Sequence, residues 1–265
     1  MSNSDFLREY EAEFIEAAGA WFPLQLIKDN CFMWEELPLS PRRGHKYYLG
    51  VDVSRAGSDE TVYCIWEVSN VTKTKRLIYI WEDIEVTTAP HIEGMIIDLH
   101  NKWNFTNICI DATGMGGFLI DNLPTDELPI TPIIFNAKSP IGGERSHKTE
   151  MYSMWKTHME RNQRLREYND KQMKALPLCG IPEKDAEIKK QWNLKPYILM
   201  MKSDTKLMNQ MMDLKYEWRR GGELSLQAAT ERTHDDFADS AVLGYYAIFI
   251  DPHREMVSAA ALGKR

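Results

Sequence analysis

Residues 47–61 read YYLGVDVSRAGSDET, and the fold follows from them. Tyr47 to Val53 alternates apolar residues around a single carboxylate, Asp52, so the run is predicted to be a strand. Ser54 to Asp59 then has turn composition and leads into Glu60 to Trp66, a second β-rich run. Asp52 is therefore expected inside a strand otherwise made of Leu, Val and Tyr. A lone anion there is costly to bury unless a cation, a metal or several donors meet it. Two more carboxylate sites follow along the chain: Asp111, which ends the apolar run Asn107 to Ile110, and the cluster Asp235, Asp236 and Asp239. Three such places on one chain point to a metal.

Outward from this stretch the pattern is regular. Strands are expected at about 47–53, 61–68 and 76–86. A helix follows at 88–103, where Ile92, Met95, Ile96 and Leu99 recur at helical spacing. Next come a strand at 106–111, a glycine-rich turn at Thr113 to Gly117 opening a short helix, and a fifth strand at 130–136. A meander followed by strand, helix and strand describes an α/β fold whose later strands join in parallel, a central mixed sheet of five or more strands flanked by helices. Residues 1–46 read as a lead-in, a short amphipathic helix at 5–20 and then an arm that packs on the domain at 47–250. Beyond the fifth strand, a helix is expected at 146–165, an irregular or hairpin insertion at 176–202 and a helix at 204–219. Together they form a small lobe before the last helix. Residues 251–265 lose the apolar period and are expected to be a mobile tail.

The 265 residues are 43% hydrophobic, enough for one sizeable core. No apolar run approaches the roughly 18 residues that span a bilayer, and the N-terminus lacks the basic start and apolar block of a secretory signal. The four cysteines have no CxxC spacing, which argues against zinc and redox motifs and for buried, reduced thiols. A net charge of −7 speaks against a protein that coats nucleic acid, except that bound divalent ions reverse the local sign at an acidic site. Between Lys138 and Lys174, nine basic residues face five acidic ones. The excess reads either as a solvated helix face or as a surface that tracks phosphates, with Lys138, Arg145, Lys148 and Lys156 as the DNA-binding candidates.

Thr233 to Ala247 begins with a capping residue and continues as an apolar helix. Acids in a first turn are favoured by the helix dipole, so capping alone explains two or three of them. Asp239 lies one turn from both Asp235 and Asp236, however, so the helix end presents several carboxylates together. Two divalent ions about 4 Å apart need oxygen ligands converging from different elements. Asp52, Asp111 and the Asp235/Asp236/Asp239 group meet that need if the first and fourth strands are neighbours and the last helix crosses their ends. Such a site hydrolyses phosphodiesters: one ion acidifies a water, and the other stabilises the leaving oxygen.

The order Gly50-Val51-Asp52 with Gly57-Ser58-Asp59-Glu60-Thr61, then Ile110-Asp111-Ala112-Thr113-Gly114-Met115-Gly116, then His234-Asp235-Asp236-Phe237-Ala238-Asp239-Ser240 resembles the nuclease domain of the large terminase subunit, the DNA-packaging motor of tailed phages. The segment Phe6 to Phe14 is similar to the linker joining that family's ATPase and nuclease domains. The resemblance runs from about residue 5 to 250. It implies a ribonuclease H-like fold and metal-dependent endonucleolytic cutting of concatemeric viral DNA in the host cytoplasm. Two Mg2+ or Mn2+ ions are the implied cofactors. Double-stranded DNA, the ATPase domain, the portal and the small terminase subunit are the implied partners, with no membrane. On the matching positions Asp52, Asp111 and Asp236 are the catalytic metal ligands, with Asp235, Asp239 and Asp59 assisting; the motif leaves open which of Asp235 and Asp236 binds directly. No GxxxxGK[ST] loop occurs in the chain, so the ATPase half is absent, and the chain is expected to be an excised domain or a separately encoded product.

Three other readings are open to the sequence. An actin-like ATPase needs two phosphate hairpins and about twice this length. A non-catalytic DNA-binding or docking module would use its acids only to cap and brace. A junction-resolving nuclease of the same fold would differ in preferring branched DNA. His234 reads more simply as a polar residue at a helix start than as a general base.

Overall fold

The computed structural model describes residues 20–32, 36–53, 61–83, 88–113, 115–138, 146–176, 184–185, 194–218, 224–228 and 234–250. The expected lead-in helix, the 54–60 turn with Asp59, Arg145 and the 251–265 tail lie outside the described residues.

The elements in chain order are α1 (Leu24–Asn30), β1 (Cys31–Phe32), β2 (His45–Asp52), β3 (Thr61–Ser69), β4 (Lys75–Asp83), α2 (Ala89–Trp103), β5 (Asn107–Asp111), α3 (Met115–Asn122), β6 (Ile130–Ile133), α4 (His147–Lys174), β7 (Leu199–Lys202), α5 (Thr205–Asp213), β8 (Leu214–Trp218), β9 (Leu224–Ala228) and α6 (Asp236–Tyr246). A seven-stranded sheet has the order β1-β7-β4-β3-β2-β5-β6, and β8 and β9 form a separate hairpin. The meander β2–β3–β4 is antiparallel, whereas β5 joins β2 and β6 joins β5 in parallel after helical crossovers. This is the expected mixed α/β sheet, with two further strands.

Alternation along the central strands sends successive side chains to opposite faces. Tyr47, Leu49, Val51, Tyr63, Ile65, Ile108 and Ile110 pack on one face against Ile92 and Ile96 of α2 and Leu119 of α3. On the other face, Tyr48, Val62, Cys64, Trp66 and Cys109 pack against Met151 and Trp155 of α4, Met211 of α5 and Ala241, Val242 and Tyr245 of α6. Gly50, Asp52 and Asp111 share the parity of this second set. Their side of the sheet is the one covered by the last helix.

Two expectations change. The apolar run at Leu199 to Met201 was expected in an irregular or hairpin insertion but forms β7, which pairs in parallel with both β1 and β4 of the main sheet. Asn162 of α4 explains its position: its Oδ1 accepts from the Ile198 N–H at 2.8 Å, docking the incoming strand. The helix expected to reach residue 219 ends at Asp213 instead. Leu214–Trp218 is a strand, and Trp21 N–H donates to the Leu214 carbonyl at 2.7 Å, so the arm's backbone draws this segment out of the helix. α4 is also longer than expected, continuing to Lys174. Among the described residues no helix is long and apolar enough to cross a membrane.

Candidate active site

Parallel pairing aligns Val51 with Ile110, so the next residues, Asp52 and Asp111, sit side by side at the carboxyl ends of neighbouring strands. Each is the last residue of its strand, which lets a carboxylate leave the core face and reach the sheet edge. Thr113 holds Asp111 in a turn, donating to its Oδ1 from both N–H (3.0 Å) and Oγ1 (2.7 Å). Gly116 allows α3 to begin directly behind it, because a Cβ there would stand 1.7 Å from the Asp111 carbonyl oxygen.

The third group of acids arrives on α6, which lies unusually close to β2. A Cβ on Gly50 would fall 2.3 Å from both the Gly244 nitrogen and the Ser240 carbonyl, and one on Gly244 would fall 2.6 Å from Cys64 Sγ. The sheet also takes up the helix's groups directly. Ser240 Oγ donates to the Gly50 carbonyl, while Trp66 Nε1 donates to Ala241 O and Asn107 Nδ2 to Ala247 O. With α6 locked in this way, Asp236 and Asp239 face Asp52. Burial, followed by the charges of Asp239, Asp236 and Asp111, pushes the Asp52 carboxyl well above the usual carboxylate range, with Lys148 opposing. Burial and then Asp235 push Asp239 up to about 7, against Lys148 and Tyr152.

Lys148, in the first turn of α4, supplies a cation to this cluster. Its Nζ lies 2.7 Å from Asp235 Oδ2 and 2.6 Å from Asp239 Oδ2. One turn further along α4, Tyr152 donates its hydroxyl to Asp239 Oδ1 at 2.7 Å. Asp235 is the residue before α6, yet its side chain makes no capping bond; its carboxylate is turned to Lys148. The capping explanation of this acid therefore fails. His234 is exposed, with Nδ1 3.6 Å from Asp236 Oδ2.

The structure thus brings together Asp52, Asp111, Asp235, Asp236 and Asp239. Of the basic candidates, Lys148 is inside the site. Lys138 is exposed and bridges to Ser146 at the start of α4. Lys156, two turns beyond Lys148, packs its ammonium over the Trp21 ring at 4.5 Å. Tyr152 escaped the sequence reading, although its i, i+4 spacing from Lys148 was the available signal.

The donor set is all oxygen, which suits a hard divalent ion such as Mg2+ or Mn2+. Among the described residues, five crowded carboxylates facing one ammonium leave negative charge that a dication would relieve. Among the described residues, no three Asp, Glu, His or Cys side chains are already drawn into a ready-made metal cage. The Lys148 ammonium stands between two of the carboxylates instead.

The fold is that of large terminase nuclease domains, a ribonuclease H-like architecture. The large terminase nuclease from thermophilic phage G20c matches with a TM-score of 0.56 at 15% identity, over 84% of this chain and 96% of that one. The Thermus phage P74-26 large terminase nuclease domain matches at 0.53 and 13% identity, over 84% and 93%. A mutant nuclease domain of the large terminase subunit of bacterial virus Sf6, solved with manganese and beta-thujaplicinol, matches at 0.54 and 12% identity, over 84% and 96%. The G20c nuclease has also been solved with bound magnesium and with bound cobalt. No family model matches the sequence, and no curated protein matches it.

Proposed function

We propose that this chain is a metal-dependent endodeoxyribonuclease that cuts concatemeric viral DNA during genome packaging, with little sequence preference. The observation that carries the reading is the meeting of Asp52 and Asp111, on adjacent parallel strands, with Asp236 and Asp239 of the last helix. The named metals and nuclease role of the G20c and Sf6 domains of like fold support it.

Asp52, Asp111 and Asp236 would hold two divalent ions, with Asp235, Asp239 and Asp59 assisting. When bound, the ions would acidify an attacking water and neutralise charge growing on the leaving oxygen. The chain's own side chains prepare the place. Tyr152 fixes the rotamer of Asp239 by donating to Oδ1, so that Oδ2 faces the cluster. Lys148 neutralises part of the acidic charge before DNA arrives and, released from Asp235 or Asp239, would pair with a phosphate oxygen. Lys138 at the approach to α4 and Lys156 along it, together with Arg145, would track the duplex backbone and contribute affinity without reading sequence. Residues 1–46 are assigned as the link to an ATPase domain on another chain or segment. That ATPase domain, the portal and the small terminase subunit are the partners in the host cytoplasm.

Cleavage of supercoiled plasmid and linear duplex by the purified chain, with Mn2+, Mg2+ or EDTA, tests the reading beside Asp52→Asn and Asp111→Asn. Metal-dependent nicking and linearisation lost in both variants, with folding unchanged, is the expected result. Wild type as inert as the variants at high protein and low salt would sink it. The ion pairs of Lys148 with Asp235 and Asp239 favour a second reading, a DNA-binding module whose acids only brace the fold; DNA binding indifferent to metal and to Asp52→Asn would select it. Preferential cutting of a four-way junction over linear duplex would select a junction-resolving nuclease.

A further inference from the structure

The residue before α6 does not cap it, because another residue performs that task. The first-turn N–H groups of a helix have no partner within the helix, and the residue before the helix usually supplies one from its side chain. Here that residue is Asp235, and its carboxylate is held by Lys148 at 2.7 Å and makes no capping bond. The acceptor comes from α5. Gln210, only 7% exposed, places its Oε1 2.7 Å from the Phe237 nitrogen and 3.2 Å from the Ala238 nitrogen, accepting from both N–H groups.

The geometry points to Gln210 as a positioning residue of the metal site, a cap supplied in trans that holds the α6 N-terminus and leaves Asp235, Asp236 and Asp239 available to cations. This rests on the metal-dependent nuclease reading above. Two features make an amide suited to the place. Its oxygen satisfies two buried donors that would otherwise be stranded, and it does so without charge. A carboxylate cap would add a further anion beside a cluster already crowded with them, whereas a neutral cap leaves the positive end of the helix dipole to act on the site's own acids. Gln210 is itself held in place along α5: its backbone carbonyl accepts the Leu214 N–H that closes the helix, and its neighbours Met211 and Met212 are buried in the core. Residues that orient ligands without touching the metal carry about 10- to 100-fold in metal affinity when removed.

The test compares the full chain with Gln210→Met, which keeps the length but removes the acceptor, with Gln210→Glu, which keeps the acceptor, and with Leu207→Val, a buried change on the same helix that touches neither N–H. Mn2+ binding without DNA is followed by the paramagnetic signal of the free ion, and hydrogen exchange is followed at the Phe237 and Ala238 amides. Gln210→Met is expected to need about 10- to 100-fold more Mn2+ for half-saturation and to lose protection at those two amides. Gln210→Glu should bind at or below the wild-type Mn2+ concentration with both amides protected, and Leu207→Val should lower the thermal midpoint only. Wild-type Mn2+ affinity in a folded Gln210→Met chain, or an equal loss in Leu207→Val, would overturn the positioning role while leaving the nuclease reading intact. A wild-type chain that neither binds Mn2+ nor cuts DNA would overturn both.

Discussion

The two ends of β2 bury charge in opposite ways. At its start, Glu67 of β3, 1% exposed, is surrounded by donors: Arg42 Nε at 2.9 Å, Arg42 Nη2 at 2.7 Å from the same oxygen, the Tyr47 hydroxyl at 2.9 Å and Arg76 at 3.3 Å. At its finish, five residues and about 16 Å beyond Tyr47, Asp52 meets Asp111, Asp236 and Asp239 with Lys148 as the cation opposing them. One carboxylate has two guanidiniums; at the other end several carboxylates share an ammonium. The first arrangement is complete as it stands and pins the arm at Arg42 to the sheet. Among the described residues the second is short of positive charge, and its surplus is relieved by protons retained to higher pH than usual or by cations from outside. Charge balance separates bracing from a site more sharply than burial does.

The largest effect that would break this contrast is on activity. Asp52→Asn should lower cutting by at least about 100-fold in plasmid assays, yet raise the thermal midpoint in EDTA, because it removes a carboxyl whose ionisation burial and its acidic neighbours oppose. Glu67→Gln should do the reverse, leaving cutting and metal requirement unchanged. Next is Lys148→Met, expected to cost about 3 kcal/mol in urea denaturation without metal, since it strands two part-buried carboxylates. Mn2+ should recover much of that loss by taking over the neutralisation; no recovery would argue that the cluster does not take cations. Glu67→Gln itself should cost about 2 kcal/mol by the same measurement, from weakened charge-assisted hydrogen bonds.

Gly50→Ala tests how α6 reaches the site. The added methyl group meets backbone at 2.3 Å, so the helix must shift, at about 1–3 kcal/mol, and the Mn2+ needed for half-maximal cutting should rise. The smallest expected effect is the pH dependence. Asp239 holds its proton up to about 7, against an ordinary 3.8. A carboxyl raised in the folded state contributes stability that is complete below about pH 4 and is lost as pH rises toward 7. Melts in EDTA should therefore show wild type losing stability across that window relative to Asp239→Asn.

Much of the site was legible because its parts are short-range. A carboxylate inside an apolar alternating run, as at Asp52, or ending one, as at Asp111, departs from a strand pattern in a way that burial cost alone makes conspicuous. Periodicity likewise located the meander and the helix of residues 89–103. The strand Leu199–Lys202 was less legible, since four residues carry too little pattern and the pairing that makes them a strand comes from β1, β4 and Asn162, all distant in sequence. The helix ending at Asp213 was hidden for the same reason: the backbone of Trp21 terminates it from nearly two hundred residues away.

By itself, then, the sequence determined which acids are out of place, the α/β order of elements and the family the motifs resemble, because each depends on neighbours along the chain. Only the tertiary structure decided that Lys148 belongs among the acids, that Tyr152 orients one of them, and that Gln210 rather than Asp235 caps the last helix. Charge and hydrogen-bond satisfaction are settled by whatever the fold brings within about 3 Å, and these partners stand 27 to 91 residues apart along the chain.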